Sequence, residues 1–235
     1  MQFPWLDVKS IDFPEVQTAA FNPDGLLAIG GDLSVRRLIR AYRLGIFPWF
    51  NQSDPILWWA PTQRAVITPA SFHISKSLRK TLRASAFHTT CDKDFMGVVQ
   101  ACAAPRIKEK ETWITNDMQL AYQALHDAGV AHSVEVWQDD LLVGGIYGVC
   151  LGHFFFGESM FSEVNNASKI ALAHIFYNLT ELKLLDCQIP NPHLMSLGAF
   201  TIPRENFIQL LKLELLNDEQ AVETSIWPKN WKNCL

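Results

Sequence analysis

The sequence predicts an α+β fold: a small N-terminal domain, then a mainly antiparallel central sheet flanked by helices. Three observations point there. Residues 131 to 157 read as three successive strands joined by tight turns. Helical stretches lie before and after those strands rather than alternating with them one for one. The stretch "RLGIFPWFNQSDPILWWAP", residues 43 to 61, holds three tryptophans and two phenylalanines among Gly45, Pro48, Asn51, Ser53, Asp54, Pro55 and Pro61. Those breakers exclude one helix through it, because proline removes a donor and Asn, Ser and Asp favour turns.

Element by element, "DGLLAIGGDLS" reads as a turn, a short strand and a second turn, with Ser34 as a helix N-cap. The helix "VRRLIRAYRL" sets Val35, Leu38, Ile39 and Tyr42 against Arg36, Arg40 and Arg43, and Gly45 ends it. "ILWWA" and "RAVIT" are strands around the Pro61 turn, which places a domain boundary at residue 63: 1 to 63 with the aromatic loop, 64 to 235 beyond it. Alternation turns at least one of Trp58 and Trp59 toward the core.

In "ISKSLRKTLR", Ile74, Leu78 and Leu82 recur every four residues, while Lys76, Arg79, Lys80 and Arg83 share another face with no acid among them. A strand (87 to 91), a helix (92 to 103), the charged loop "PRIKEKE" and a helix from Asp117 to Ala128 follow, stopped by Gly129. After the three strands comes a helix from Asn166 to Leu182 that is apolar nearly all round. "LLDCQI" is a last buried strand, Asn191 and Pro192 start a short helix, and "PRENFIQLLKLELL" is the final one.

With 49% hydrophobic and 19% charged residues and a mean hydropathy of +0.04, the 235 residues can build a proper core. No stretch reaches eighteen uninterrupted apolar residues, and the N-terminus has neither a basic nor an apolar leader segment, so a cytoplasmic protein without a membrane span is expected, as a monomer. Cys91, Cys102, Cys150, Cys187 and Cys234 are odd in number and never form C-x-x-C, which speaks against disulfides and zinc. The net charge of -4 argues against a general nucleic-acid coat and leaves room for a local basic patch.

On the strand "LLDCQIPN", Asp186 and Gln188 fall on one face and Leu185, Cys187 and Ile189 on the other. A carboxylate beside an amide at a sheet end suits the orientation of an amine; that Asp186 only bonds loop backbone is equally open. "FGESMF" puts Glu158 where the sheet would meet the next helix, and Phe161 in place of the second glycine rejects a serine-hydrolase elbow. His132, His153, His174 and His193 lack metal spacing. The two basic helix faces and the aromatic loop together suit single-stranded nucleic acid, held by cations on phosphates and rings under bases. Leu172, Ile175 and Leu179 recur on one helix face, and with Ile146, Met160 and Leu185 they could surround an apolar ligand or be plain core.

Taken in one order from residue 24 to 204, "DGLLAIGGDLS", "RLGIFPWF", "PILWWAP", "FHIS", "TWIT", "HSVEVW", "LVGGIYGV", "GESMF", "NASK" and "DCQIPNPHLMSLGA" resemble the bacterial leucyl/phenylalanyl-tRNA-protein transferases. The resemblance implies a cytosolic aminoacyltransferase that moves Leu, Phe and less readily Met from aminoacyl-tRNA to proteins beginning with Arg or Lys, marking them for degradation by the N-degron pathway. It implies an acetyltransferase-type (GNAT) catalytic domain that needs no metal and no CoA, and the loop after "HFFFG" carries no R/Q-x-x-G-x-G/A cradle for a pyrophosphate.

Carried onto this sequence, it assigns Asp186 and Gln188 to the attacking amine and Glu158 to the acceptor's cation. Trp49 and Trp113, with Tyr42, are expected at the terminal adenosine. Ile146, Met160, Leu172, Ile175, Leu179 and Leu185 are expected around the amino-acid side chain. Lys76, Arg79, Lys80 and Arg83 are expected on the acceptor-stem phosphates.

Overall fold

The computed structural model describes residues 3–84, 86–104, 112–215 and 217–232; the "PRIKEKE" loop and Cys234 lie outside them. The described elements are, in chain order, β1 (Trp5–Leu6), β2 (Leu26–Gly30), α1 (Val35–Arg43), β3 (Phe47–Pro48), β4 (Leu57–Trp59), β5 (Gln63–Ile67), α2 (Lys76–Arg83), β6 (His88–Cys91), α3 (Phe95–Ala103), α4 (Asn116–Asp127), β7 (Ala131–Gln138), β8 (Leu141–Leu151), β9 (Phe154–Ser162), α5 (Ala167–Asn178), β10 (Leu184–Asp186), α6 (Pro192–Ser196), β11 (Phe200–Pro203), α7 (Arg204–Glu214) and α8 (Asp218–Glu223). They form an α+β fold with two sheets, ordered β1-β2-β4-β3 and β11-β5-β10-β9-β8-β7-β6.

The larger sheet is antiparallel except where β10 runs parallel to β9, Leu185 opposite Phe155. That one parallel pair follows from the route of the chain, which leaves β9, crosses one face as α5 and returns beside it. β7 and β8 pair over their full length, and α3 and α5 pack on the sheet. Glu135, fully buried on β7, accepts from Thr90, Ser133 and the backbone N–H groups of Lys93 and Asp94, which ties the start of α3 to the sheet.

Helix starts follow their caps: Ser34, Ser75, Thr115 and Asn191 each accept from a backbone N–H three residues on. One core cluster spans both sheets, joining Leu27, Trp58 and Tyr42 to Tyr147, Phe156 and Phe207. The smaller sheet is therefore packed onto the larger one rather than tethered to it. Trp58 is fully buried and gives its Nε1–H to Gly30 O, whereas half-buried Trp59 gives its own to Trp49 O.

At four places the structure differs from the sequence reading or adds to it. β9 does not end at Gly157 but runs to Ser162, because a register shift after Tyr147 lets it keep pairing with β8 as far as Gly144. β10 stops at Asp186: Gln188 takes a left-handed φ of 55° and the alternation breaks there. Phe200–Pro203 forms an edge strand on β5, and α8 follows α7. Arg37, unassigned to either face of its helix, is fully buried and gives hydrogen bonds to Asp32 and the Asp7 carbonyl.

Candidate active site

The ends of β5, β9 and β10 bring four side chains together. Arg64 on β5 grips Asp186 with both edges of its guanidinium, Nε to Oδ1 at 2.7 Å and Nη2 to Oδ2 at 2.6 Å, with both side chains at most 2% exposed. Its Nη1 reaches Gly45 O at 3.1 Å, and the rings of Phe47 and Phe207 lie over it at 4.7 and 4.8 Å. Through this one residue the aromatic loop and α7 are fastened to β10.

Asp186 Oδ1 also accepts the Gln188 backbone N–H at 3.0 Å. The adjoining chain is pinned to β5 by Cys187 N to Ala65 O and Ala65 N to Gln188 O. These bonds hold Gln188 in its left-handed conformation, which costs an ordinary side chain on the order of 1 kcal/mol or more. Its amide nitrogen donates to Glu158 Oε1 at 3.2 Å.

Glu158 is half-buried on β9, beside the bulge. The Tyr42 hydroxyl on α1 reaches its Oε1 at 2.7 Å and the Tyr122 hydroxyl on α4 reaches its Oε2 at 2.6 Å. Burial pushes the Glu158 carboxyl up to about 7 against the pull of the two hydroxyls; Asp186 adds to the rise and Arg64 opposes it.

A cavity of about 1040 Å³ opens over this cluster. Glu158, Asp186 and Gln188 line it together with Ile146, Met160, Leu172 and Leu185, and Asn191 and His193 stand on the α6 side. Cys187 also lines it, but burial and Asp186 push its thiol well above the ordinary range, so it offers no thiolate.

The remaining expected residues are placed as follows. Ile175 and Leu179 are absent from the cavity wall: both are buried in the second core cluster, to which Leu172 also belongs. Tyr42, expected at an adenosine, is fully buried and its hydroxyl belongs to Glu158. Trp49 is 43% exposed, edge-on to Trp59 at 5.8 Å. Trp113 is half-buried against the first core cluster, just before α4. Neither tryptophan lines the cavity. Lys76, Arg79, Lys80 and Arg83 are all exposed on α2, which packs against α5 through buried Leu78.

Sequence reasoning missed Arg64 and Tyr122. Arg64 carried a signal: it shares the strand face of Val66, and a cation in phase with apolar residues calls for a buried counter-charge. Asp92, His126 and His132 also come together, close enough to hold a metal ion. The carboxylate of Asp92 instead accepts from Ser133 N, His132 Nδ1 and Trp227 Nε1, each at 2.8 Å, which fastens the C-terminal segment to the sheet.

The cavity sets one apolar wall beside a fixed amide and two carboxylates; the families that match the chain place it among the transferases. Known proteins make this specific. The leucyl/phenylalanyl-tRNA protein transferase family model matches residues 66–212, and the model of that family's N-terminal domain matches 31–62. Proteins named leucyl/phenylalanyl-tRNA-protein transferase are similar to this chain in Nitrosospira multiformis (56% identical, covering 91% of this chain and 92% of that protein). The same holds in Pseudomonas syringae pv. tomato (54%, covering 88% and 91%) and Cellvibrio japonicus (52%, covering 88% and 89%). The chain belongs to the leucyl/phenylalanyl-tRNA-protein transferase family.

Among solved structures there is a remote similarity to a GCN5-related N-acetyltransferase from Kribbella flavida (8% identical, TM-score 0.37, covering 68% of this chain and 57% of that one). Another is to L-PGS from Bacillus licheniformis (13%, TM-score 0.36, covering 63% and 48%).

Proposed function

We propose that this chain transfers Leu, Phe and less readily Met from aminoacyl-tRNA to the α-amino group of proteins beginning with Arg or Lys, tagging them for the N-degron pathway. The observation that carries the reading is the single cavity in which an apolar wall of Ile146, Met160, Leu172 and Leu185 faces Glu158, Asp186 and Gln188. The wall suits an apolar side chain of the size of Leu, Phe or Met, with Met160 adaptable to more than one shape. The polar side suits an incoming amine and its cationic neighbour.

The donor is an ester, already activated, and the nucleophile an amine with a reference pKa of about 8. Holding the two in register can be worth on the order of 7–11 kcal/mol, so little base strength is needed. Asp186 is fully engaged by Arg64 and acts through Gln188, fixing its backbone. The Gln188 amide nitrogen points to Glu158, which turns its carbonyl oxygen away as the acceptor for an amine proton. Glu158 faces the guanidinium or ammonium of the acceptor's first residue.

Trp49, with Trp113, is proposed to grip the terminal adenosine, and α2 to lie along the acceptor-stem phosphates. The exposure of Trp49 and of all four α2 cations supports this. Working as a monomer fits a cavity lined by one chain. A cytoplasmic location fits the free thiols of Cys91, Cys102, Cys150 and Cys187, and among the described residues no helix is long and apolar enough to cross a membrane. No cofactor is expected, since ester and amine supply the whole reaction.

The deciding experiment is transfer of labelled leucine from Leu-tRNA to an Arg-starting peptide. Label that stays on the tRNA would leave a tRNA-binding protein, and acyl transfer from acetyl-CoA would make it an N-acetyltransferase. Within that assay Trp49→Ala should weaken a minimal aminoacyl-adenosine analogue about tenfold or more, as expected for about 1–3 kcal/mol of base stacking. Unchanged affinity would return the ring to a packing role.

The two kinds of apolar residue on α5 should separate. Leu172→Ala should shift the ratio of Phe to Leu transfer toward Phe by about tenfold, within the 1–3 kcal/mol typical of pocket volume changes. Ile175→Ala should cost about 2–5 kcal/mol in denaturant unfolding and leave that ratio alone.

A further inference from the structure

Three oxygen contacts close on themselves around Glu158. Tyr42 Oη lies 2.7 Å from Glu158 Oε1, Tyr122 Oη lies 2.6 Å from Oε2, and the two phenol oxygens lie 2.7 Å from each other. Each separation is that of an O–H···O hydrogen bond, and each bond needs a proton between its oxygens. Two neutral phenols supply two protons. They do not ionise to change the count, since burial pushes both hydroxyls well above their ordinary value.

With Glu158 ionised, both phenol protons go to the carboxylate, and the phenol oxygens face each other at 2.7 Å with lone pairs only. With Glu158 protonated the count is satisfied. Its hydroxyl donates to Tyr42, Tyr42 to Tyr122, and Tyr122 back to the other carboxyl oxygen.

The charges around the ring agree. Asp186 on β10 and Glu158 on β9 are two carboxylates with one guanidinium near them, and Arg64 on β5 is already engaged by Asp186. The phenols that act on the ring, Tyr42 on α1, Tyr122 on α4 and Tyr147 on β8, are held un-ionised by burial. Among the described residues, Arg64 is the cation that acts on Glu158, and Asp186 already engages it.

We infer that Glu158 is a neutral carboxylic acid in the free protein, closed in a three-proton ring with Tyr42 and Tyr122, and that a cationic acceptor ionises it. The second half rests on the reading of Glu158 as the acceptor's contact. When an Arg or Lys side chain arrives, the O–H bond of Glu158 breaks and its proton leaves to water. The carboxylate keeps both phenol donors and pairs with the cation, while the Tyr42–Tyr122 contact lengthens. At and below neutral pH, selection for a basic first residue then comes from supplying a charge opposite the carboxylate, while a neutral residue leaves the ring protonated. The carboxyl value of about 7 makes the neutral ring the main form below that pH and the anion the main form above it.

Two measurements on the full chain test the halves separately. Infrared difference spectra between wild type and Glu158→Gln should show a protonated-carboxyl C=O stretch at pH 6 that disappears by pH 9. Its absence at pH 6 overturns the neutral ring, whatever the protein's function. Calorimetric titration with an Arg-starting peptide, in buffers of different ionisation enthalpy, should release about one proton more from wild type than from Glu158→Gln at pH 6 and close to none more at pH 8.5, the α-amine's own proton cancelling in the comparison.

The ratio of wild-type to Glu158→Gln affinity should rise about tenfold per pH unit below 7 and level off above it. Equal proton release by the two proteins at pH 6 overturns the displacement. No binding at any pH, with the infrared band present, overturns the acceptor half and the proposed role of Glu158 while leaving the ring intact.

Discussion

Arg64→Ala and Asp186→Ala should each cost about 3–5 kcal/mol of stability and each reduce transfer to background. Removing one partner leaves the other as an uncompensated buried charge. Both side chains are at most 2% exposed and meet at 2.6 and 2.7 Å. Against a total stability of roughly 5–15 kcal/mol this is a large share. Arg64 also carries the contacts that join three parts of the chain: Gly45 O and Phe47 from the aromatic loop, Phe207 from α7, and Asp186 from β10.

Stability and activity should part company in the double variant. Arg64→Met with Asp186→Leu removes both charges and fills the space with apolar atoms, a replacement that is often neutral or stabilising. Its midpoint in denaturant should return most of the way to wild type. Transfer should not return, because the Gln188 N–H loses the carboxylate that fixes it. Wild-type transfer by the double variant would show that Asp186 has no part in the reaction, and a wild-type midpoint for Asp186→Ala alone would show that the ion pair does not hold the fold.

The same pair shows what could be read from the chain and what could not. β7 and β8 were legible because alternation and a two-residue turn are local signals, and the caps at Ser34 and Asn191 likewise sit within a few residues of the helices they start. The Arg64–Asp186 contact spans 122 positions and Tyr42–Glu158 spans 116. No local pattern encodes such a pairing. Tyr122 sits in phase with Met118 and Leu125 on the buried face of α4, where a tyrosine reads as one more core ring.

Asp186, Gln188 and Glu158 were expected together, and the cavity does bring them together. The strand alternation that first paired Asp186 with Gln188 fails at Gln188, and the backbone bonds to Ala65 and Asp186 hold the turn from which its side chain still reaches Glu158. Leu172 and Ile175 show the other limit. Apolar periodicity marks both as inward, and only the packed structure shows that both are core while Leu172 alone of the two also borders the cavity.

Reversing Lys76, Arg79, Lys80 and Arg83 to Glu should flatten the salt dependence of tRNA affinity and remove most of the binding at low salt. Each phosphate neutralised by a cation contributes about 0.7–0.9 to the slope of log affinity against log salt through counterion release. Four contacts would therefore contribute a slope of about 3, worth on the order of a hundredfold between 50 and 200 mM salt.

The structure makes α2 suited to this test. The four cations are exposed, and among the described residues no carboxylate pairs with any of them in an ion pair. The helix is held by Leu78 beneath and by the Ser75 cap, neither of which the substitutions touch. The fold should survive, so unfolding in denaturant serves as the control. A minimal aminoacyl-adenosine analogue, which has no acceptor stem, should bind the variant as it binds the wild type. Loss of affinity for the analogue would mean that the change reached the cavity, and an unaltered salt slope for whole tRNA would place the acceptor stem on another face of the molecule.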